Sequence, residues 1–130
     1  MGDFRKPETW RRPRKLTVTI YRLTTKFPTA ERYGLTAQMR RAAVSVAANL
    51  AEGCGRMGDV ELRRFVRIGL GSLAELECEL LLASDLKFVE PNACTEIAGE
   101  ICEIRRMLQS LHDALPNKRG DTHSPTRPRL

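Results

Sequence analysis

Gln38, Arg41, Ser45, Asn49, Glu52 and Arg56 follow one another at spacings of three and four residues. On a helix such a row stacks along one side, which would bring a hydroxyl, two amides, a carboxylate and two guanidiniums into one line. Ser45 becomes a nucleophile only beside a base. The two histidines are His112 and His123, and nothing in their position offers one to Ser45 or to Cys54. Two readings of the row stay open at this level: a polar network buried between helices, or a stripe that recognises a ligand.

Other chemistries find less support. A di-metal helical bundle needs Glu-x-x-His pairs facing inward, and no Glu in the chain has a His three residues later. The stretch EGCGRMGD, residues 52–59, has the glycines of a phosphate loop, but it follows a helical pattern and lacks the G-K-[ST] ending, so it reads as a helix reversal. Cys54, Cys78, Cys94 and Cys102 contain no C-x-x-C pair. They are expected to be buried thiols that behave as small hydrophobes. The expectation is a protein that is not an enzyme, with no metal and no cofactor.

These side chains need elements to hold them. With 42% hydrophobic residues and 5% aromatics in 130 residues, a core of Leu, Ile, Val and Ala between helices is favoured. The 3.6-residue period and its punctuation predict four helices. The first runs from about Pro13 to Lys26 and stops at Phe27-Pro28, because the residue before proline is pushed out of the helical region. Thr36 is expected to cap the second, which ends in the glycine-rich reversal. Asp59 is expected to cap the third, which continues to about Phe88. The fourth starts at Pro91 and ends near Leu115, before Pro116. Short connections turn each helix back on the last, giving an all-α, antiparallel up-down-up-down four-helix bundle over residues 13–116. An N-terminal arm, 1–12, precedes it. A tail, 117–130, rich in proline and basic residues, is expected to be disordered.

The fourth helix carries one apolar seam: Ile97, Ile101, Ile104, Leu108, Leu111 and Leu115. The third carries two. Leu62, Phe65, Val66, Gly69, Leu73, Leu76 and Leu80 make one stripe, and Ile68, Leu82 and Leu86 fall on the opposite side. The second helix bears no charge between Arg41 and Glu52. Met39, Ala43, Val46, Leu50 and Cys54 form its core stripe, while Val44, Ala47, Ala48, Ala51 and Gly55 form a second face of small residues. That face either reflects high helix propensity on an exposed surface or is covered by another subunit. Ile68, Leu82 and Leu86 ask for the same cover, which favours a homo-oligomer built on Val44, Ala47, Ala48, Ala51, Ile68, Leu82 and Leu86.

The net charge is +6. On an antiparallel bundle one end collects Arg11, Arg12, Arg14, Lys15, Arg56, Arg63, Arg64 and Arg67, joined by Lys118, Arg119, Arg127 and Arg129 of the tail. Glu75, Glu77, Glu79, Asp85, Glu90, Glu96 and Glu100 concentrate towards the other. A molecule polarised in this way attracts polyanions and neutralises phosphates by counterion release. Nucleic acid is the expected partner, with structured RNA or DNA gripped by phosphate and shape, because few aromatics are free to stack on bases. No run of apolar residues is long enough to span a membrane, and the charged N-terminus lacks the apolar stretch of a signal peptide. A cytoplasmic protein with no membrane partner is expected.

The segment FPTAERYGLTAQMRRAAVSVAANLAEGCGR, followed by FVRIGLGSLAELECELLLA, resembles the bacterial four-helix bundle family named after proteins encoded in intervening sequences of 23S ribosomal RNA genes. The motifs are F-P-x-x-E-x-Y-G-L at Phe27 to Leu35, Q-x-x-R-A-x-x-S at Gln38 to Ser45, N-x-A-E-G at Asn49 to Gly53, and G-S-x-x-E at Gly71 to Glu75. Phe4, Trp10, Leu16 and Tyr21 extend the likeness, which covers about residues 4–112. The resemblance implies a helical bundle that assembles into a homopentamer. Relatives include the accessory proteins of diversity-generating retroelements, which form a basic barrel that binds nucleic acid and a reverse transcriptase. A protein-binding adaptor for a reverse transcriptase or a ribonucleoprotein is therefore the alternative function. Pro7 and Pro13 depart from the family pattern, interrupting a stretch where its members continue the first helix back through the tryptophan.

Overall fold

The computed structural model of the protein describes residues 6–118, which form four α-helices with two short 3-10 turns and no strand. They are α1 (Arg11–Thr25), α2 (Leu35–Gly55), α3 (Asp59–Asp85) and α4 (Pro91–Ala114). The 3-10 turns are Pro7–Trp10 and Thr29–Glu31. The predicted seams supply the core. Met39, Ala43, Val46 and Leu50 of α2, Leu62, Val66, Leu73, Leu76 and Leu80 of α3, and Ile101, Ile104 and Leu108 of α4 exclude solvent completely. Leu16 and Ile20 of α1 join them, and Trp10 packs against the margin. Cross-helix pairs run in opposite chain directions from α2 to α3: Ser45 meets Ser72, Val46 faces Gly69, and Gly53 lies against Phe65 and Leu62.

Several boundaries differ from the sequence expectation, each for a local reason. The N-terminal arm is not irregular up to residue 12. Pro7–Trp10 already turns, and α1 starts at Arg11, so Pro13 occupies the first helical turn, where its missing N–H costs nothing. Thr36 does not cap α2. It is a buried residue inside the helix, and the Leu35 N–H instead donates to Glu31 Oε1 at 3.1 Å, so a side chain from the preceding turn caps the helix. Asp59 is the first residue of α3, with Gly58 at the N-cap position at φ 88°, a conformation that favours glycine. α3 ends at Asp85 rather than Phe88. Lys87 takes the left-handed conformation (φ 67°), its N–H donates to the Ser84 carbonyl, and the Phe88 N–H donates to the Ala83 carbonyl. This is a Schellman stop with lysine where glycine is usual, and so it carries little signal in sequence.

Gly53 is not part of the reversal either. It is helical and buried, and a Cβ there would sit 2.8 Å from Phe65 Cβ and 3.0 Å from Leu62 Cδ1. The residue is small because α3 crosses there. The cysteines divide as well. Only Cys54 is buried; Cys94 is half-buried, and Cys78 and Cys102 are exposed, since they lie off the core stripes of α3 and α4. Among the described residues no helix is long and apolar enough to cross a membrane.

Candidate nucleic-acid interface

The tight turn between α2 and α3 brings together arginines from both sides. Arg56 at the end of α2 and Arg64 in the second turn of α3 both lie over the ring of Phe65, with guanidinium carbons 5.4 Å and 4.5 Å from its centroid. Phe65 itself is buried, so it anchors the two planes to the core. Each also has an acidic neighbour: Arg56 with Glu52 at 3.5 Å, Arg64 with Glu61 at 3.1 Å. The Arg64 bond pulls the Glu61 carboxyl below its ordinary value and raises the guanidinium. Arg63 is half-buried, with an Nε that is shielded from solvent and has no hydrogen bond, and Arg67 is exposed. On α1, Arg11 and Lys15 are exposed, and Arg14 lies 5.3 Å from the Trp10 ring.

The predicted separation of charge does not hold for Arg12. It makes a two-pronged bond to Glu100 of α4, at 2.9 and 3.1 Å, which raises the guanidinium further. A residue assigned to the basic end thus meets one assigned to the acidic end. The reason is length. α1 has 15 residues against 24 in α4, a deficit of roughly 13 Å at 1.5 Å per residue, so its first turn meets α4 partway along. Arg22 and Lys26 likewise share a groove with Glu96 and Glu100. Lys118 is exposed. Arg119, Arg127, Arg129 and Phe4 lie outside the described residues.

The polar row on α2 divides in two. Ser45 Oγ is 2.8 Å from Ser72 Oγ, and Asn49 Nδ2 donates to the Ser45 carbonyl at 2.8 Å and to Ser45 Oγ at 3.0 Å. These three side chains form a half-buried network across the α2–α3 seam. Gln38, Arg41 and Glu52 remain exposed. Of the small-residue face, Val44 and Ala48 are exposed, while Ala47 and Ala51 are half-buried. Ile68, Leu82 and Leu86 are 40%, 48% and 54% exposed among the described residues.

Sequence reasoning missed Glu79. Grouped by sequence only with the acids of one end, it is 5% exposed, with Oε1 lacking any hydrogen bond. Burial, then Glu75, pushes its carboxyl up to about 7, and Arg41 pulls the other way. The signal was available: Ile68, Ser72, Glu75, Glu79, Leu82 and Leu86 follow one another at spacings of four and three. The two tyrosines were missed too. Tyr33 is 88% exposed and Tyr21 42%, so two aromatic faces are open to solvent where few aromatics were expected to be free. Among the described residues no three metal-ligating side chains come together.

A model of the family described as 23S rRNA-intervening sequence protein matches residues 5–110. No curated protein matches the sequence. Among solved structures, the chain is similar to a protein of unknown function from the S23 ribosomal protein family of Bacteroides thetaiotaomicron. The two are 19% identical and superpose with a TM-score of 0.71 over 79% of this chain and 96% of the other. At that identity the likeness concerns the fold.

Proposed function

From the premise that the chain belongs to the 23S rRNA-intervening sequence protein family, we propose that it is a non-enzymatic, self-associating protein that binds structured RNA or DNA through phosphates. The observation that carries this reading is the α2–α3 reversal, where Arg56 and Arg64 are held over Phe65 and Arg67 stands exposed nearby in sequence. Guanidiniums fixed in this way lose little freedom on meeting a phosphate. Arg11, Arg14 and Lys15 on α1 add further positive charge. Contacts of this kind position a duplex without reading its sequence.

Self-association multiplies the effect. The uncovered Ile68, Leu82 and Leu86, with Val44 and Ala48, form apolar surface of the kind that marks interaction sites. A homopentamer is the assembly that the family resemblance suggests, and the cytoplasm is the compartment where we place it. The test is fluorescence anisotropy with a structured RNA and a DNA duplex, comparing wild type with an Arg11→Gln, Arg67→Gln double variant. Both side chains are exposed and make no ion pair among the described residues, so the fold should survive. The variant should bind both ligands more weakly. If wild type binds neither at low salt, the reading falls, and a protein-binding adaptor for a reverse transcriptase or ribonucleoprotein replaces it.

A further inference from the structure

Both tyrosines of the chain line a single groove of about 650 Å³. It runs between the end of α1, the turn that follows it, and the first half of α2. Its walls include Tyr21, Arg32, Tyr33, Arg40, Arg41 and Val44, and no carboxylate is among its lining residues. Arg40 is fixed: Nε donates to Thr24 Oγ1 at 2.8 Å, Nη2 donates to the Tyr21 carbonyl at 3.2 Å and to Thr25 Oγ1 at 3.4 Å, and the plane lies 4.6 Å from the Tyr21 ring centroid. Arg32 lies 6.0 Å from the Tyr33 ring. Arg41 makes no hydrogen bond or ion pair among the described residues. It reaches into the same groove while feeling the charge of Glu79.

Tyr33, 88% exposed with the Arg32 guanidinium beside its ring, gains nothing from the core. Nucleobases stack on such rings, and the phosphates between them meet guanidiniums. We propose that this groove binds unpaired nucleotides of a single strand, with a base stacked on Tyr33 and the flanking phosphates on Arg32 and Arg41. The ligand class rests on the nucleic-acid reading above; the site and its chemistry do not. It lies at the opposite end of α2 from the reversal, about 30 Å away along a 21-residue helix. A base paired in a duplex cannot present its face, so the groove selects single strands. Val44 is shared with the face proposed for self-association. The groove takes only that N-terminal residue of the face and leaves Ala47, Ala48 and Ala51 to the seam.

Because the chain has two tyrosines and both line the groove, 3-fluorotyrosine labelling gives two fluorine resonances that report on this site alone. Assembled full-length protein is titrated with a short oligouridylate, the same strand annealed to oligoadenylate, and a peptide of Asp and Glu. The single strand should shift both resonances saturably. Tyr33→Ala should weaken single-strand binding about tenfold, the size of one lost base stack. It should leave duplex binding unchanged, and Tyr33→Phe should behave as wild type. Single-strand binding with silent resonances, or an unaffected Tyr33→Ala, would overturn the groove proposal while leaving the reversal intact. A shift caused by the acidic peptide and not by RNA would also overturn it in favour of a protein ligand, and a shift on dilution alone would assign the groove to a second copy. Absence of binding to any nucleic acid sinks both proposals.

Discussion

Glu79 shows how costly a single buried side chain can be to the fold. Its carboxyl is buried, one oxygen lacks a donor, Glu75 repels its charge, and Arg41 offsets this only in part. The sign of its effect on stability follows directly. Unfolded, the group has an ordinary value of 4.5; folded, it is pushed to about 7. Between these the folded protein holds a proton that the unfolded chain has released, so the group's contribution is fully present below 4.5 and is lost as pH rises through 7. Glu79→Gln should therefore be more stable than wild type at pH 8, by roughly 1–3 kcal/mol. The difference should shrink towards pH 4.5. Melting curves for both proteins across that range test it, and a gap that does not change with pH would show that Glu79 keeps its charge throughout. The Ser45–Asn49–Ser72 network is the opposite case: its bonds are made, and it belongs to the structure of the seam.

The helices themselves were largely readable, since the core seams predicted from spacing on α2, α3 and α4 became buried stripes, while the second stripe of α3, Ile68, Leu82 and Leu86, stays exposed. What the pattern did not convey was where neighbours cross. Gly53 looks in sequence like part of a flexible reversal, and only the approach of Phe65 and Leu62 reveals it as a contact point. Lys87 ends α3 in a conformation that its residue type does not advertise. Periodicity also says nothing about where a short helix sits along a longer neighbour, and that is why Arg12 was assigned to one end when it meets Glu100 partway along α4. The candidate site was legible as a set of arginines; Phe65 as their common support, and the groove of Tyr21 and Tyr33, depend on chain reversals that spacing cannot place. The crossing gives a direct check. Gly53→Ala should destabilise by about 1–3 kcal/mol through overpacking, whereas Gly55→Ala, where a Cβ meets nothing within 4 Å, should be neutral or mildly stabilising. Equal effects in chemical denaturation would contradict the close packing of α2 on α3.

At the scale of the whole molecule, the described residues leave Ile68, Leu82 and Leu86 uncovered on α3, and Val44 and Ala48 exposed on α2. If copies of the chain cover them, light scattering should give a mass several times that of the monomer, five times for the pentamer. Ala48→Arg should dissociate it, because a charge would then be buried unpaired. A monodisperse monomer of the wild type at micromolar concentration would remove self-association from the account. Such an assembly would repeat the arginines of each reversal, and repeated phosphate contacts add in their dependence on salt. Each phosphate neutralised on a duplex contributes about −0.9 to the slope of log affinity against log salt. The most direct measurement is therefore a salt titration of binding to a DNA duplex, with wild type, the Arg11→Gln, Arg67→Gln variant and a Glu77→Gln control. Wild type should give a steep straight line, the arginine variant a shallower one, and the control a line at least as steep as wild type. A wild-type affinity indifferent to salt, or an arginine variant with an unchanged slope and affinity, would contradict the claim that these arginines bind phosphates.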